Sequence, residues 1–274
     1  MRSREAFAKI NLGLVVGPVR PDGKHEVVTL LQRIGLADTI EVEPTAPELG
    51  IAVEGYEDTI VRSALAVFGE MTGDERGWHV RIDKRIPVAA GLGGGSADAA
   101  VALRLANEIS EQPLPEQRLH EIAAGLGADV PFFLRVGAQL ATGDGSDLAS
   151  VTIPHDVPVV LVIPRDEAKQ STGAVYARFD DDGGTVGFDE RRSVLLSALD
   201  RVESATDLAS LPGNDLASST LAVDLQELGA FRADVSGAGP AVYGLFEEEE
   251  AARDAARVLD SKGRTWLTRT VTGA

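Results

Sequence analysis

Cysteine is absent from the chain, which excludes disulfides and thiolate metal centres together. Histidine is scarce. His25, His79, His120 and His155 lie far apart and form no ligand-spaced pair, so a zinc site built from them is not expected. No apolar run reaches about 18 residues, which argues against a membrane span. The opening MRSREAFAKINLGLVV lacks a small-residue cleavage site, and Lys9 and Asn11 interrupt its apolar stretch. A cytoplasmic location is therefore expected rather than export. Positive charge is short: 26 basic against 43 acidic residues give a net charge of −17. A field of that sign repels nucleic acid and anionic membranes, so a bound phosphate would depend on local N–H groups, a few placed cations and Mg²⁺. Lysine is rare, limited to Lys9, Lys24, Lys84, Lys169 and Lys262. A lysine inside an apolar segment therefore stands out.

What is present suits a globular fold. Hydrophobic residues make up 44 % of 274, enough for one large domain or two medium ones. Residues 4–16, 39–43, 79–83, 136–142, 148–153 and 157–164 read as strands, with 49–53 weaker. Helical spacing is expected over 58–71, 97–106 and 115–126. DDDGGTVGF, 180–188, reads as a loop. The last third reads strand 232–236, glycine turn, strand 241–246, helix 248–260, strand 265–271, the end of a ferredoxin-like split βαβ unit.

The segment PVAAGLGGGSADAA, 87–100, carries four glycines in five positions, at Gly91, Gly93, Gly94 and Gly95. Glycine reaches φ > 0 without a steric cost and lets backbone N–H groups approach a ligand. Gly94 is expected to be one such position, and Ser96 is expected to be the N-cap of the following helix. A glycine loop emptying into a helix start binds anions, and phosphate is the natural guest. The loop matches neither Walker A nor the dinucleotide fingerprint.

Three further segments bear chemistry. In AKINLGL, 8–14, Lys9 and Asn11 alternate with apolar residues and share one strand face. On an outer face they would be solvated; facing the loop, Lys9 would be a point charge for phosphate. In GADVPFFL, 127–134, Asp129 either caps a turn or accepts a hydroxyl proton. In VSGAGPAVYGLF, 235–246, Gly237 and Gly239 either turn a hairpin or form a second backbone wall around phosphates or acceptor.

In this order the segments resemble the GHMP kinase superfamily of galactokinase, homoserine kinase and mevalonate kinase. The resemblance implies an α+β, two-domain fold. An N-terminal mixed α/β domain of ribosomal-protein βαβ type would cover 1–155 and a ferredoxin-like C-terminal domain 156–274, with the active site in the cleft between them. Within the superfamily, AKINLGL, the span from RPDGKH to LADTI, GLGGGSADAA and GADVPFF are similar to the kinases that move the γ-phosphate of ATP to the tertiary 2-hydroxyl of 4-diphosphocytidyl-2-C-methyl-D-erythritol. Those kinases serve the non-mevalonate route to isoprenoids. By this resemblance Lys9 and Asp129 are the catalytic pair. ATP lies on Pro87, Val88, Ala89, Ala90, Gly91, Leu92, Gly93, Gly94, Gly95, Ser96 and Ala97. Ser96 contacts Mg²⁺ or a phosphate. Asn11, His25, Tyr176, Gly237 and Gly239 receive the acceptor, with His25 reading cytosine and Tyr176 stacking on it. The partners implied are ATP and a cytidine-diphosphate-linked polyol, bound by a monomer or homodimer. Two positions depart from the pattern: Lys24 stands where that family has a stacking Tyr, and Thr59 where it has Asn. Two other readings remain open, a superfamily kinase for another alcohol or phosphate, and a nucleotide-binding module without turnover.

Overall fold

Two long strands begin the chain, β1 (Arg2–Val19) and β2 (His25–Thr45), in the computed structural model. Residues 1–56, 59–165 and 171–273 are described. Asp58, the first residue of a predicted helix, Lys169, and Ala274, the last residue of the predicted second domain, lie outside them. Pro21, Asp22 and Gly23 turn β1 into β2, with Gly23 at φ 83 and Arg20 N–H donating to Lys24 O over 2.7 Å, as a DG-containing hairpin should. Two compact units share these strands. One holds Met1–Ala8, Leu36–Ala89 and Gly93–Val136; the other holds Lys9–Gly35, Ala90–Leu92 and Gly137–Ala274.

In the first unit the later half of β2 pairs antiparallel with β4 (Gly77–Asp83), from Thr39↔Asp83 to Thr45↔Gly77. β3 (Ile51–Glu54) lies parallel to β4, and α1 (Thr59–Thr72) makes the crossover that parallel pairing needs. Val61, Ala64, Leu65 and Phe68 of α1 are buried, at the i, i+3, i+4, i+7 spacing of one helix face. They pack with Trp78, Val80 and Ile82 of β4 in one core. α2 (Gly94–Ile109) buries Ala97, Ala99, Ala100, Ala102 and Ala106. Alanine adds almost no bulk, so α1, α3 (Glu116–Leu126) and α4 (Val130–Phe133) all pack on this helix.

In the second unit the earlier half of β2 pairs with β5 (Ala138–Thr142), which pairs with β6 (Asp147–Val151). β7 (Pro158–Pro164) is followed by α5 (Thr172–Asp181), α6 (Phe188–Leu199), a 3-10 turn over Ala205–Ser210 and α7 (Thr220–Glu227). Then come β8 (Arg232–Val235), β9 (Val242–Leu245), α8 (Glu249–Leu259) and β10 (Gly263–Val271). The order β10-β7-β9-β8, antiparallel throughout, is that of a ferredoxin-like domain. β7 is central, and residues 158–162 are buried, as their unbroken apolar run requires. Among the described residues no helix is long and apolar enough to cross a membrane.

The structure corrects four local expectations. β2 starts at His25 rather than at 39. Gln32 and Arg33 break its apolar pattern yet are buried, because Gln32 Nε2 donates to Val271 O and Arg33 to Gly137 O. The loop expected over 180–188 is shorter: α5 runs to Asp181 and α6 starts at Phe188. α6 escapes a periodicity search because only Leu195 and Ala198 of it are buried. Ser96 is not the N-cap of α2. Gly93, left-handed at φ 70, takes that place and Ser96 is the third helical residue. Gly94 is helical; the loop glycines at positive φ are Gly91 (82) and Gly93 (70).

Candidate active site

The glycine-rich segment contributes to both units. In the first, Pro87, Val88, Ala89, Gly94 and Gly95 line a cavity of about 270 Å³ together with Tyr56, Thr59, Ile60 and Lys84. Ala89 is left-handed at φ 54, a conformation that costs a non-glycine residue roughly 1–2 kcal/mol. Ala97 N–H closes the first bond of α2 on Gly93 O at 2.9 Å. The N–H groups of Gly94, Gly95 and Ser96 are then those that an α-helix leaves without an internal partner, at the positive end of its dipole.

In the second unit, carbonyls of Ala90–Leu92 are each taken up. Ala90 O accepts from Ala241 N–H at 3.1 Å, Gly91 O from the Ser236 hydroxyl at 2.9 Å and Leu92 O from Lys9 N–H at 3.0 Å. A Cβ on Gly91 would lie 2.0 Å from Ser236 O, so glycine is required there for space as well as for φ.

Lys9 and Asn11 do share one side of β1, as alternation predicts. Lys9 is 3 % exposed and Asn11 4 %. Lys9 Nζ donates to Asn11 Oδ1 at 2.7 Å, Asn11 Nδ2 donates to Thr29 Oγ1 at 2.8 Å, and Thr29 donates to Gly13 O at 2.7 Å. This relay orients the Asn11 amide and holds the ammonium stem in one position. Gly237, at φ 57, brings backbone so near that a Cβ would sit 3.5 Å from Lys9 Nζ, Asn11 Oδ1 and Gly91 O. Gly239 is left-handed at φ 78. Asn214 fixes this turn by donating to Val235 O and to Gly237 O at 3.0 and 2.7 Å. Tyr243 donates to Asn11 O at 3.0 Å and accepts from buried Arg232.

His25 and Tyr176 also meet. Their ring centroids are 4.9 Å apart with a 32° tilt, and Phe179 stands edge-on to His25 at 6.2 Å. His25 Nδ1 lies 2.8 Å from Gly17 O and Nε2 lies 3.3 Å from Asp180 Oδ2. A carbonyl only accepts, so Nδ1 carries a proton and is committed. Both ring nitrogens thus face protein oxygens, unlike the free donor-and-acceptor pair of an unbound imidazole. Lys24 Nζ is paired with Asp144 at 2.5 Å. Burial works to raise the Asp144 carboxyl, but the bonds from Lys24 and Ser146 hold it down at about 2.

Asp129 belongs to the first unit. It is half-buried in the N-cap position of α4, with helical backbone (φ −81), and its side chain makes no capping bond to that helix.

Sequence reading misses one buried group of charges. Lys84 meets Asp38 and Asp98, both carboxylates fully buried. Burial pushes the Asp98 carboxyl up, to about 8, against the pull of the Lys84 charge. Burial works to lower Lys84, yet the Asp98 charge and the bonds to both carboxylates raise it above its ordinary value. Lysine scarcity was the available signal, but nothing in the spacing of 38, 84 and 98 predicts the contact.

Two family models match the chain, GHMP kinases N terminal domain over 59–137 and GHMP kinases C terminal over 222–265. A 4-diphosphocytidyl-2-C-methyl-D-erythritol kinase of Desulfitobacterium hafniense (strain Y51) is 38 % identical over 282 residues, covering 97 % of this chain and 94 % of its own. The protein of that name from Geobacter sulfurreducens is 37 % identical, with coverage of 96 % and 95 %. Among solved structures, a 4-(cytidine 5'-diphospho)-2C-methyl-D-erythritol kinase superposes with a TM-score of 0.78 at 32 % identity, over 99 % of this chain and 100 % of that one. A mevalonate kinase at 15 % identity and a TM-score of 0.77 shares the fold.

Proposed function

Because the chain belongs to the 4-diphosphocytidyl-2-C-methyl-D-erythritol kinase family of GHMP kinases, we propose that Lys9 and Asp129 carry its phosphoryl transfer, that the glycine-rich loop holds ATP, and that His25 and Tyr176 hold the cytidine end of the acceptor. The protein is an ATP-dependent kinase with an alcohol acceptor. It moves the γ-phosphate to the 2-hydroxyl of 4-diphosphocytidyl-2-C-methyl-D-erythritol, a step toward isoprenoid precursors.

Phosphoryl transfer depends on positioning and charge stabilisation more than on covalent catalysis. The N–H groups of Gly94, Gly95 and Ser96 hold phosphate oxygens. Lys9 neutralises charge on the transferred group, and Asp129 accepts or orients the hydroxyl proton. A tertiary alcohol is a weak acid and a crowded nucleophile, so alignment matters greatly. The observation that carries the reading is the Lys9 ammonium, buried and held by Asn11 beside the Gly91 and Gly237 backbone. Mg²⁺ takes one or two protein oxygens plus substrate phosphates. The Ser96 hydroxyl is a hard oxygen donor of that kind and would hold the ion, which would supply charge that neutralises the phosphates. The same reading includes the division of the chain at 155/156, a cytoplasmic location, and action as a monomer or homodimer.

Two outcomes test the binding roles. His25→Ala is expected to raise the acceptor KM at least about tenfold, about 1.4 kcal/mol, with the ATP KM within about twofold of wild type; CDP should compete with the acceptor. An unchanged acceptor KM, or no competition by CDP, would refute the cytidine role and point to another alcohol. Gly91→Ala is expected to weaken binding of a non-hydrolysable ATP analogue at least about tenfold, because its Cβ would meet Ser236 O at 2.0 Å. Normal affinity in calorimetry would show that the segment is only a turn.

A further inference from the structure

The phosphate loop leaves β4 and re-enters the fold as α2, and both of its ends meet at one ammonium. Lys84 directly follows β4, and its Nζ lies 2.6 Å from Asp98 Oδ2 and 2.8 Å from Asp38 Oδ2. Asp98 is the fifth residue of α2, while Asp38 sits on β2. Asp38 Oδ1 also accepts from the Arg85 and Ile86 N–H groups at 2.5 and 2.7 Å. One carboxylate thus grips the chain as it enters the loop, the other belongs to the helix into which the loop returns, and Lys84 joins them.

Gly94 lets α2 approach the staple closely. A Cβ there would lie 3.0 Å from Ile86 Cγ2 and 3.2 Å from Lys84 Nζ, so any side chain would press on the staple and its neighbours would have to give way. Lys84 also lines the cavity beside Gly94 and Gly95, with Nζ 5.4 Å from the Tyr56 ring centroid. Asp98 Oδ1 is buried without a hydrogen-bond partner among the described residues. Two fully buried carboxylates sharing one ammonium are a costly way to stabilise a core, since apolar residues of equal volume commonly do as well or better. The arrangement makes sense as a device that fixes geometry.

We propose that Lys84, Asp38 and Asp98 are positioning residues for the phosphate loop: they set the separation of its two ends and hence the direction of the Gly94, Gly95 and Ser96 N–H groups. The proposal rests on the reading of that loop as the ATP site.

Asp98 is the cleanest handle, because it is 0 % exposed and its effect on ATP must pass through other residues. Asp98→Asn keeps the shape and takes away the carboxyl that faces the Lys84 ammonium. It is expected to weaken binding of a non-hydrolysable ATP analogue at least about tenfold, with the acceptor KM within about twofold of wild type. Lys84→Met should do the same. The double variant Lys84→Met/Asp98→Leu replaces the core of the staple by apolar groups. It is expected to recover melting temperature relative to Lys84→Met while ATP affinity stays low, a split that a purely structural role would not produce. Wild-type ATP affinity in any folded variant of this set would overturn the proposal. So would failure of all three to fold, which would assign the cluster to stability alone. Absence of ATP binding by the wild-type protein would instead overturn the reading of the loop.

Discussion

Asp129→Asn is expected to fold, to bind ATP with unchanged affinity, and to turn over at least about 100-fold more slowly, a barrier increase of about 2.7 kcal/mol. Asparagine is nearly isosteric and cannot accept the hydroxyl proton. The fold should tolerate the change, because asparagine conserves the side-chain shape and backbone holds the turn, with Val130 N–H donating to Gly127 O at 3.1 Å. Single-turnover rates with the acceptor, together with calorimetry on an ATP analogue, separate chemistry from binding. A kcat within about threefold of wild type, under about 0.7 kcal/mol, would remove Asp129 from the chemical step.

Lys9→Met is expected to cost about 10²–10³ in kcat, the usual loss when one preorganised charge donor is removed, with the ATP KM within about threefold. Methionine conserves the stem volume at a position that is 3 % exposed. It leaves Asn11 Oδ1 without the ammonium that donates to it at 2.7 Å, so a modest loss of stability should accompany the kinetic effect. Lys9→Arg should not rescue the rate. A planar fork cannot occupy the place of a compact ammonium between Asn11 and the Gly237 turn. If Lys9→Met raised the ATP KM and left kcat intact, Lys9 would be a ground-state clamp instead of a stabiliser of the transition state.

Much of this architecture follows from local patterns. α1 was readable because Val61, Ala64, Leu65 and Phe68 keep helical spacing, and each is buried. The strand–turn–strand–helix–strand end of the chain was readable because turn glycines punctuate it and because α8 buries Ala252, Ala255 and Leu259 on one face behind an acidic first turn. The beginning of β2 was not, since Gln32 and Arg33 look exposed until Val271 O and Gly137 O, far away in sequence, accept their hydrogens. α5 and α6 were not either, because a helix that buries few residues has little periodicity to detect.

By itself the sequence determined the order of the chemical segments, the glycine loop opening into a helix, and the shared face of Lys9 and Asn11. These are local facts of spacing, and the two periods of helix and strand express them directly. Only the tertiary structure decided which loop glycines need left-handed backbone, namely Gly91 and Gly93 rather than Gly94. It alone set the two ring nitrogens of His25 against Gly17 O and Asp180 Oδ2. It alone joined Lys84 to Asp38 and Asp98. Each of these depends on a partner brought near by sheet pairing or helix packing, and a hydrogen bond or a steric contact between residues distant in the chain has no period to read.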